Sequence, residues 1–137
     1  MNPSSVNPIL NVSDFDASVA WFRSLGWENN FRWGEPTTTF GSVSSGEVEI
    51  FLCLDGQGGK GKGSNATTFD TPENQRADKG CWMSLWVEDV DAVHQLCIEN
   101  NIDITQVPED MPWNVREMHI RHPDGHVFRI GSYVERT

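Results

Sequence analysis

"NVSDFDASVAWFRSLGW", residues 11–27, and "WVEDVDAVHQLCIENNI", residues 86–102, lie 75 positions apart (86 − 11) and agree where chain geometry is set. Val12 matches Val87, Asp14 matches Asp89, Asp16 matches Asp91 and Ala17 matches Ala92, while Phe15 and Val90 agree in type. Each segment follows an apolar strand (6–12 and 82–87) and opens a helix. Ser13 or Asp14, and Glu88 or Asp89, suit the free N–H groups of a first helical turn. Val19, Phe22 and Leu25 form one helical stripe; Val90, Val93, Leu96 and Cys97 form the other. Gly26 and the Asn100-Asn101 pair suit left-handed helix ends.

Strands follow near 27–33, 37–43 and 47–54, and again near 103–107, 115–122 and 126–132. Each half therefore reads βαβββ, an α+β chain of two modules, 1–54 and 81–137, within one domain of 137 residues. Between them lies "DGQGGKGKGSNATTFDTPENQRADKG" (55–80), polar and Gly-rich, expected to be a linker or binding loop. Its Gly56–Lys62 stretch mimics a phosphate loop. Gly63 stands where Ser or Thr is needed, and no helix pattern follows, so that reading is set aside.

The formal net charge of −10 argues against nucleic acid or an anionic membrane as partner and is compatible with a cationic ligand. "MNPSSVNPIL" (1–10) has no basic n-region or long apolar run, so neither a secretory signal nor a membrane span is expected. Cys53, Cys81 and Cys97 are odd in number and carry no Cys-x-x-Cys spacing; reduced thiols in the cytoplasm fit best.

"RHPDGHVFRI" (121–130) reads as a hairpin about Pro-Asp-Gly. Pairing His122 with His126 sets Ile120 against Phe128 and Met118 against Ile130, with His119 opposite Arg129 on the other face. Glu117 becomes the diagonal neighbour of Arg129 and its expected partner. On that reading the buried member is Arg129, and Arg129→Met should cost less stability than Glu117→Gln. On the 82–87 strand, Trp82, Ser84 and Trp86 share a face, whereas Met83, Leu85 and Val87 belong under the helix.

The two modules, the "PILNVSDFDASVAWFRSLGW" opening, the "PWNVREMHIRHPDG" stretch and the "HPDGHVFRI" close together resemble the vicinal-oxygen-chelate superfamily. This group includes glyoxalase I, extradiol dioxygenases and bleomycin-resistance proteins, and the chain is most similar to the bleomycin-resistance branch. The resemblance implies curved mixed sheets with helices on the convex side, and a homodimer whose clefts draw walls from both subunits. It also implies four metal-ligand positions, which fall on Asn7, Phe51, Trp82 and Arg129. Phe and Trp offer no donor, Asn is weak and a guanidinium repels a cation, so no metal or other cofactor is expected.

The expected site is then a concave surface for a small molecule. It is lined by Asn7, Phe31, Trp33, Phe51, Cys53, Trp82, Ser84, Trp86, Trp113, Glu117, His119 and Arg129, with Phe40 at its rim. Cys53 reads as a small buried filler. His119 and His122 point to opposite strand faces, and His122 and His126 flank the turn at the rim, which disfavours a histidine metal cluster. Three readings stay open. One is sequestration of an aromatic or cationic ligand, with an antibiotic as its concrete form. Another is a lyase, isomerase or dioxygenase-type enzyme with atypical or no metal ligands, using His119 and Glu117. A third has the clefts serving only as an interaction surface.

Overall fold

The computed structural model describes residues 1–54 and 80–134. The chain folds as two compact units, Met1–Gly80 and Cys81–Thr137. The 55–79 stretch, with the phosphate-loop look-alike, lies outside the described residues.

The first unit runs β1 (Ile9–Asn11), α1 (Phe15–Ser24), β2 (Glu28–Trp33), β3 (Phe40–Ser45) and β4 (Val48–Cys53). Its sheet has the order β1-β4-β3-β2; β1 lies parallel to β4 and the other pairings are antiparallel. The second unit repeats this with β5 (Trp82–Trp86), α2 (Val90–Glu99), β6 (Asp103–Asp110), β7 (Val115–Arg121) and β8 (Val127–Tyr133), ordered β5-β8-β7-β6. Both units are βαβββ, with one helix on one face of a mixed sheet.

The 75-residue repeat has a physical cause. Asp14 and Asp89 are the two helix N-caps, both in extended backbone, each accepting from the alanine three residues on: Ala17 N at 3.0 Å and Ala92 N at 3.1 Å. Both helices end alike. Gly26 (φ 89°) and Asn101 (φ 56°) take the left-handed conformation, and the next amides reach back five residues, Trp27 N to Phe22 O and Ile102 N to Cys97 O, each at 3.0 Å.

Leu10, Val43, Ile50 and Leu52 of the first sheet are fully buried, with Phe15, Val19 and Phe22 of α1 nearly so. Gly41 has no Cβ because the Phe15 ring and the Phe31 carbonyl occupy its place. Met118, Ile120, Phe128 and Ile130 make the matching face of the second unit with Val90 and Cys97. Period-2 alternation sends the intervening residues to the opposite sheet face, and that face carries the candidate site.

Three strands differ from expectation by more than one residue at an end. β1 is three residues long, since Pro8 carries no N–H for a ladder and this is a sheet edge. The strand expected at 37–43 starts at Phe40, because 34–39 form a loop opened by Gly34 (φ 117°). β6 runs to Asp110 through Pro108, which an irregular edge strand tolerates. Met83 and Leu85 are half-buried rather than covered. Among the described residues no helix is long and apolar enough to cross a membrane.

Candidate functional site

The β7–β8 hairpin has the expected register: Met118 pairs with Ile130, Ile120 with Phe128 and His119 with Arg129, and His122 N donates to His126 O at 2.8 Å. Glu117 sits across from Gly131, on the same face as Arg129 and one step along the ladder. The two side chains meet as a fork: Arg129 Nε donates to Glu117 Oε2 at 2.5 Å and Nη2 to Oε1 at 3.0 Å.

Two further donors converge on this carboxylate. Trp113 Nε1 donates to Oε1 and His119 Nε2 lies against Oε2, both at 3.0 Å. A carboxylate has about four lone-pair sites, and all are used. The Arg129 hydrogen bonds, helped by those of His119 and Trp113, hold the Glu117 carboxyl at about 2, against an ordinary 4.5, although burial opposes this. Glu117 reciprocally pushes Arg129 up. An ionised Oε2 only accepts, so His119 Nε2 carries the proton of this bond.

Burial reverses the expected order within the pair. The Glu117 side chain is 2% exposed and that of Arg129 is 25% exposed. The carboxylate is the buried member; the guanidinium lies above it, with Nη1 reaching Ser84 Oγ at 3.3 Å.

A cleft of about 520 Å³ opens over this network. Trp82 and Trp113, 71% and 57% exposed, stand in its walls, with Ser84, Glu117, His119 and Arg129 between them. The Trp82 and His119 rings meet edge-on at 6.3 Å. Gln106, Met83 and Met111 complete the lining, and sequence reasoning did not find them. Gln106 is the cross-strand partner of His119, but register shifts on both sides of it defeat period-2 counting along β6.

Of the expected site residues, Trp82, Ser84, Trp113, Glu117, His119 and Arg129 come together here. Trp86 lies further along β5 and stacks on Tyr133, with centroids 4.7 Å apart and planes within 7°. Asn7, Phe31, Trp33, Phe51 and Cys53 belong to the first unit. There Phe31, Phe40 and Phe51 form an aromatic cluster with centroids 5.5–6.0 Å apart. Asn7 Nδ2 donates to Glu49 O at 3.0 Å, and Trp33 stands 70% exposed beside the 34–39 loop. Cys53 is half-buried, not a buried filler; a short strand end leaves it partly uncovered.

The repeat relates these two surfaces. Ile9 and Ser84 are 75 residues apart; Ile9 pairs with Phe51 and Ser84 with Arg129. Phe51 in turn faces Ser42, and Arg129 faces His119. One module built an apolar aromatic floor where the other built a charged, hydrogen-bonded one.

His122 and His126 are not at a rim. They are 1% and 0% exposed on the helix-facing side, and their Nδ1 atoms accept from Asp124 N at 3.0 Å and Cys81 N at 2.9 Å. Burial, reinforced by the neighbouring His126, pushes His122 down to about 4. These histidines hold the hairpin in place.

Residues 5–130 match the glyoxalase/bleomycin resistance protein/dioxygenase superfamily. The chain belongs to it. No curated protein matches the sequence. Solved superfamily folds superpose over nearly the whole chain at low identity. TioX from Micromonospora sp. ML1 does so with a TM-score of 0.69 and 20% identity, over 98% of this chain and 99% of TioX. A bleomycin-binding protein in complex with bleomycin gives 0.67 and 18%, over 95% and 98%. A glyoxalase-related enzyme from Clostridium phytofermentans gives 0.68 and 20%, over 98% of each. Binders and enzymes share this superfamily architecture, so the fold leaves the choice to the site.

The side chains present do not fit a divalent metal. Phe51 and Trp82 carry no donor, Arg129 is cationic, and the neighbouring Glu117 has no lone pair to give. Among the described residues no three His, Cys, Asp or Glu side chains come together as a metal site.

Proposed function

We propose that the protein is a metal-independent binding protein that sequesters a small aromatic or cationic molecule, with an antibiotic as one concrete form. The observation that carries this is the saturation of Glu117 by Arg129, Trp113 and His119. A carboxylate with every lone pair engaged is neither a metal ligand nor a general base. It fixes the walls of a cleft whose exposed faces are indoles. Trp82 and Trp113 offer surfaces for ring stacking or for a cation, and Glu117 cancels the charge of Arg129 beneath them. A structural neighbour in complex with bleomycin supports ligand binding as the reading. The two units acting as one domain belong to this reading, as does a cytoplasmic setting.

A thermal-shift screen of aromatic and cationic small molecules tests it, since a ligand at about 100 times its Kd adds about 2.7 kcal/mol. The shift given by a true ligand should vanish in Trp82→Ala, and elemental analysis of untagged protein should find well under one metal per chain. Stoichiometric Zn, Ni, Mn or Fe that survives dialysis overturns the proposal.

The rival enzyme has its own observation. A carboxylate 3.0 Å from one imidazole nitrogen orients the ring as catalytic dyads do. Turnover of a ligand found in the screen, abolished in His119→Gln, would establish that reading instead.

The same proposal includes a two-fold homodimer. Trp82, Trp86, Trp113 and Tyr133 are all at least half exposed, more aromatic surface than a monomer usually leaves to water. Light scattering should report a dimer; a monomer at micromolar concentration removes the second subunit from the reading.

A further inference from the structure

Asn29 pairs with Val43 and Phe31 with Ser42, so β2 carries one residue, Asn30, more than β3 at this point. This is a β-bulge, and the Asn29 amide holds it, donating to Ser42 O at 2.8 Å and to Phe31 O at 3.0 Å. Strict alternation would send Asn30 and Phe31 to opposite faces. With the bulge both reach one face: Asn30 Nδ2 donates to Glu49 Oε2 at 2.6 Å, and Phe31 packs against Phe40 and Phe51. Glu49 and Phe51, two residues apart on β4, share that face. Ser42 lies between Phe31 and Phe51 in register, and its Oγ donates to the same Glu49 Oε2 at 2.6 Å. A carboxylate and two rings thus meet about one serine.

This carboxylate lacks what Glu117 has. The Ser42 and Asn30 hydrogen bonds hold the Glu49 carboxyl below its ordinary range, so it is ionised at neutral pH. Among the described residues no cation is paired with it, whereas Arg129 neutralises Glu117. Its Oε1 meets no donor among those residues, and it is not shut off from solvent as Gln106 Nε2 is. Phe31 is 39% exposed beside it, with Phe40 and Phe51 half-buried. An inorganic cation would gain nothing from the rings in exchange for its water. An organic cation gains from both, since the rings take its apolar part and attract its charge while the free oxygen accepts its N–H.

We propose that this face of the first unit is a second ligand site, for a protonated amine on an apolar body, with the ammonium donating to Glu49 Oε1 and the apolar body laid on Phe31 and Phe51. The site lies wholly within the first unit and does not depend on the cleft over Glu117. Ser42 and Asn30 act as positioning residues: by engaging Oε2 they fix the carboxylate and leave Oε1 for the ligand. The formal net charge of −10 favours the approach of a cation.

Three probes test this at pH 7 and constant ionic strength, titrated to high millimolar concentration against the isotope-labelled protein. Cyclohexylammonium carries charge and N–H, trimethylcyclohexylammonium charge without N–H, and cyclohexanol an O–H without charge. The Asn30 side-chain amide resonances report this site, and the Trp82 and Trp113 indole N–H resonances report the cleft. Cyclohexylammonium should move the Asn30 amide and bind about tenfold or more tightly than cyclohexanol, the value of one charge-assisted hydrogen bond. The trimethylated cation should fall between them. In Glu49→Gln the preference for a cation should disappear. In Phe31→Leu both cations should bind about threefold more weakly, with cyclohexanol unchanged. The ladder in the unaltered protein stands even if a variant fails to fold. Equal affinities for amine and alcohol, a trimethylated cation that matches the amine, or a cation preference that survives Glu49→Gln overturns the proposal. Shifts at the indoles alone overturn this site while leaving the cleft; shifts at Asn30 alone support this site and leave the cleft without a ligand among these probes.

Discussion

Arg129→Met should destabilise the protein by about 3 kcal/mol at neutral pH, the low end of the cost of breaking a buried ion pair. The reason is the asymmetry of burial. Loss of the guanidinium would leave a carboxylate that is 2% exposed with only Trp113 and His119 as donors. Glu117→Gln removes the more deeply buried charge and leaves a guanidinium that is 25% exposed, within reach of water and still bonded to Ser84. Its cost should be smaller, about 1–2 kcal/mol, that of a charged hydrogen bond lost near the surface. The double variant, with neither charge, should recover part of the Arg129→Met loss.

Acid also separates the variants. Glu117 has a folded-state value of about 2 below its ordinary 4.5, so its contribution is complete above 4.5 and is lost as pH falls towards 2. At about 1.4 kcal/mol per unit this amounts to roughly 3 kcal/mol. Without Arg129 most of that dependence should vanish, so the two proteins converge in stability below pH 4.5. Urea melts at pH 7 and pH 3 check both statements. Equal losses for the two single variants at pH 7 would remove the asymmetry of burial, and a double-variant loss equal to their sum would mean that the fork contributes nothing beyond its separate halves.

A second loss of stability should begin at milder acidity, and its source is His122. Burial and the nearby His126 hold this imidazole at about 4, against an ordinary 6.5. Its folded value is depressed, so the unfolded chain takes up the proton first. Stability is complete above 6.5 and falls as pH drops towards 4, by about 3 kcal/mol at 1.4 kcal/mol per unit. The structural cause is visible at Nδ1, which accepts from Asp124 N and would have to surrender that bond to be protonated. Urea midpoints of the unaltered protein should therefore decline between pH 6.5 and 4.5, before Glu117 begins to titrate. His122→Asn should be less stable at pH 7 but nearly flat across that interval. A decline of the same slope in the variant would place the acid sensitivity elsewhere.

Much of this site was legible in the chain. The duplicated Asp-x-x-Ala caps, the left-handed helix ends and the alternation along "MHIR" and "VFRI" are local in origin: three-residue capping geometry and two-residue strand periodicity are properties of a segment by itself. They sufficed for two βαβββ modules, for the register of the β7–β8 hairpin and for the meeting of Glu117 with Arg129. Only tertiary structure decided which member of that pair is buried, because burial depends on what Trp113 and His119 lay over Glu117 from outside the pair. It also decided that Gln106 faces His119, since the bulges of an edge strand shift register in a way no period predicts. And it separated Trp86, stacked on Tyr133, from Trp82 in the cleft. The two residues share a strand face, but a cleft is made by the neighbours that close over one part of that face, and those neighbours come from elsewhere in the chain.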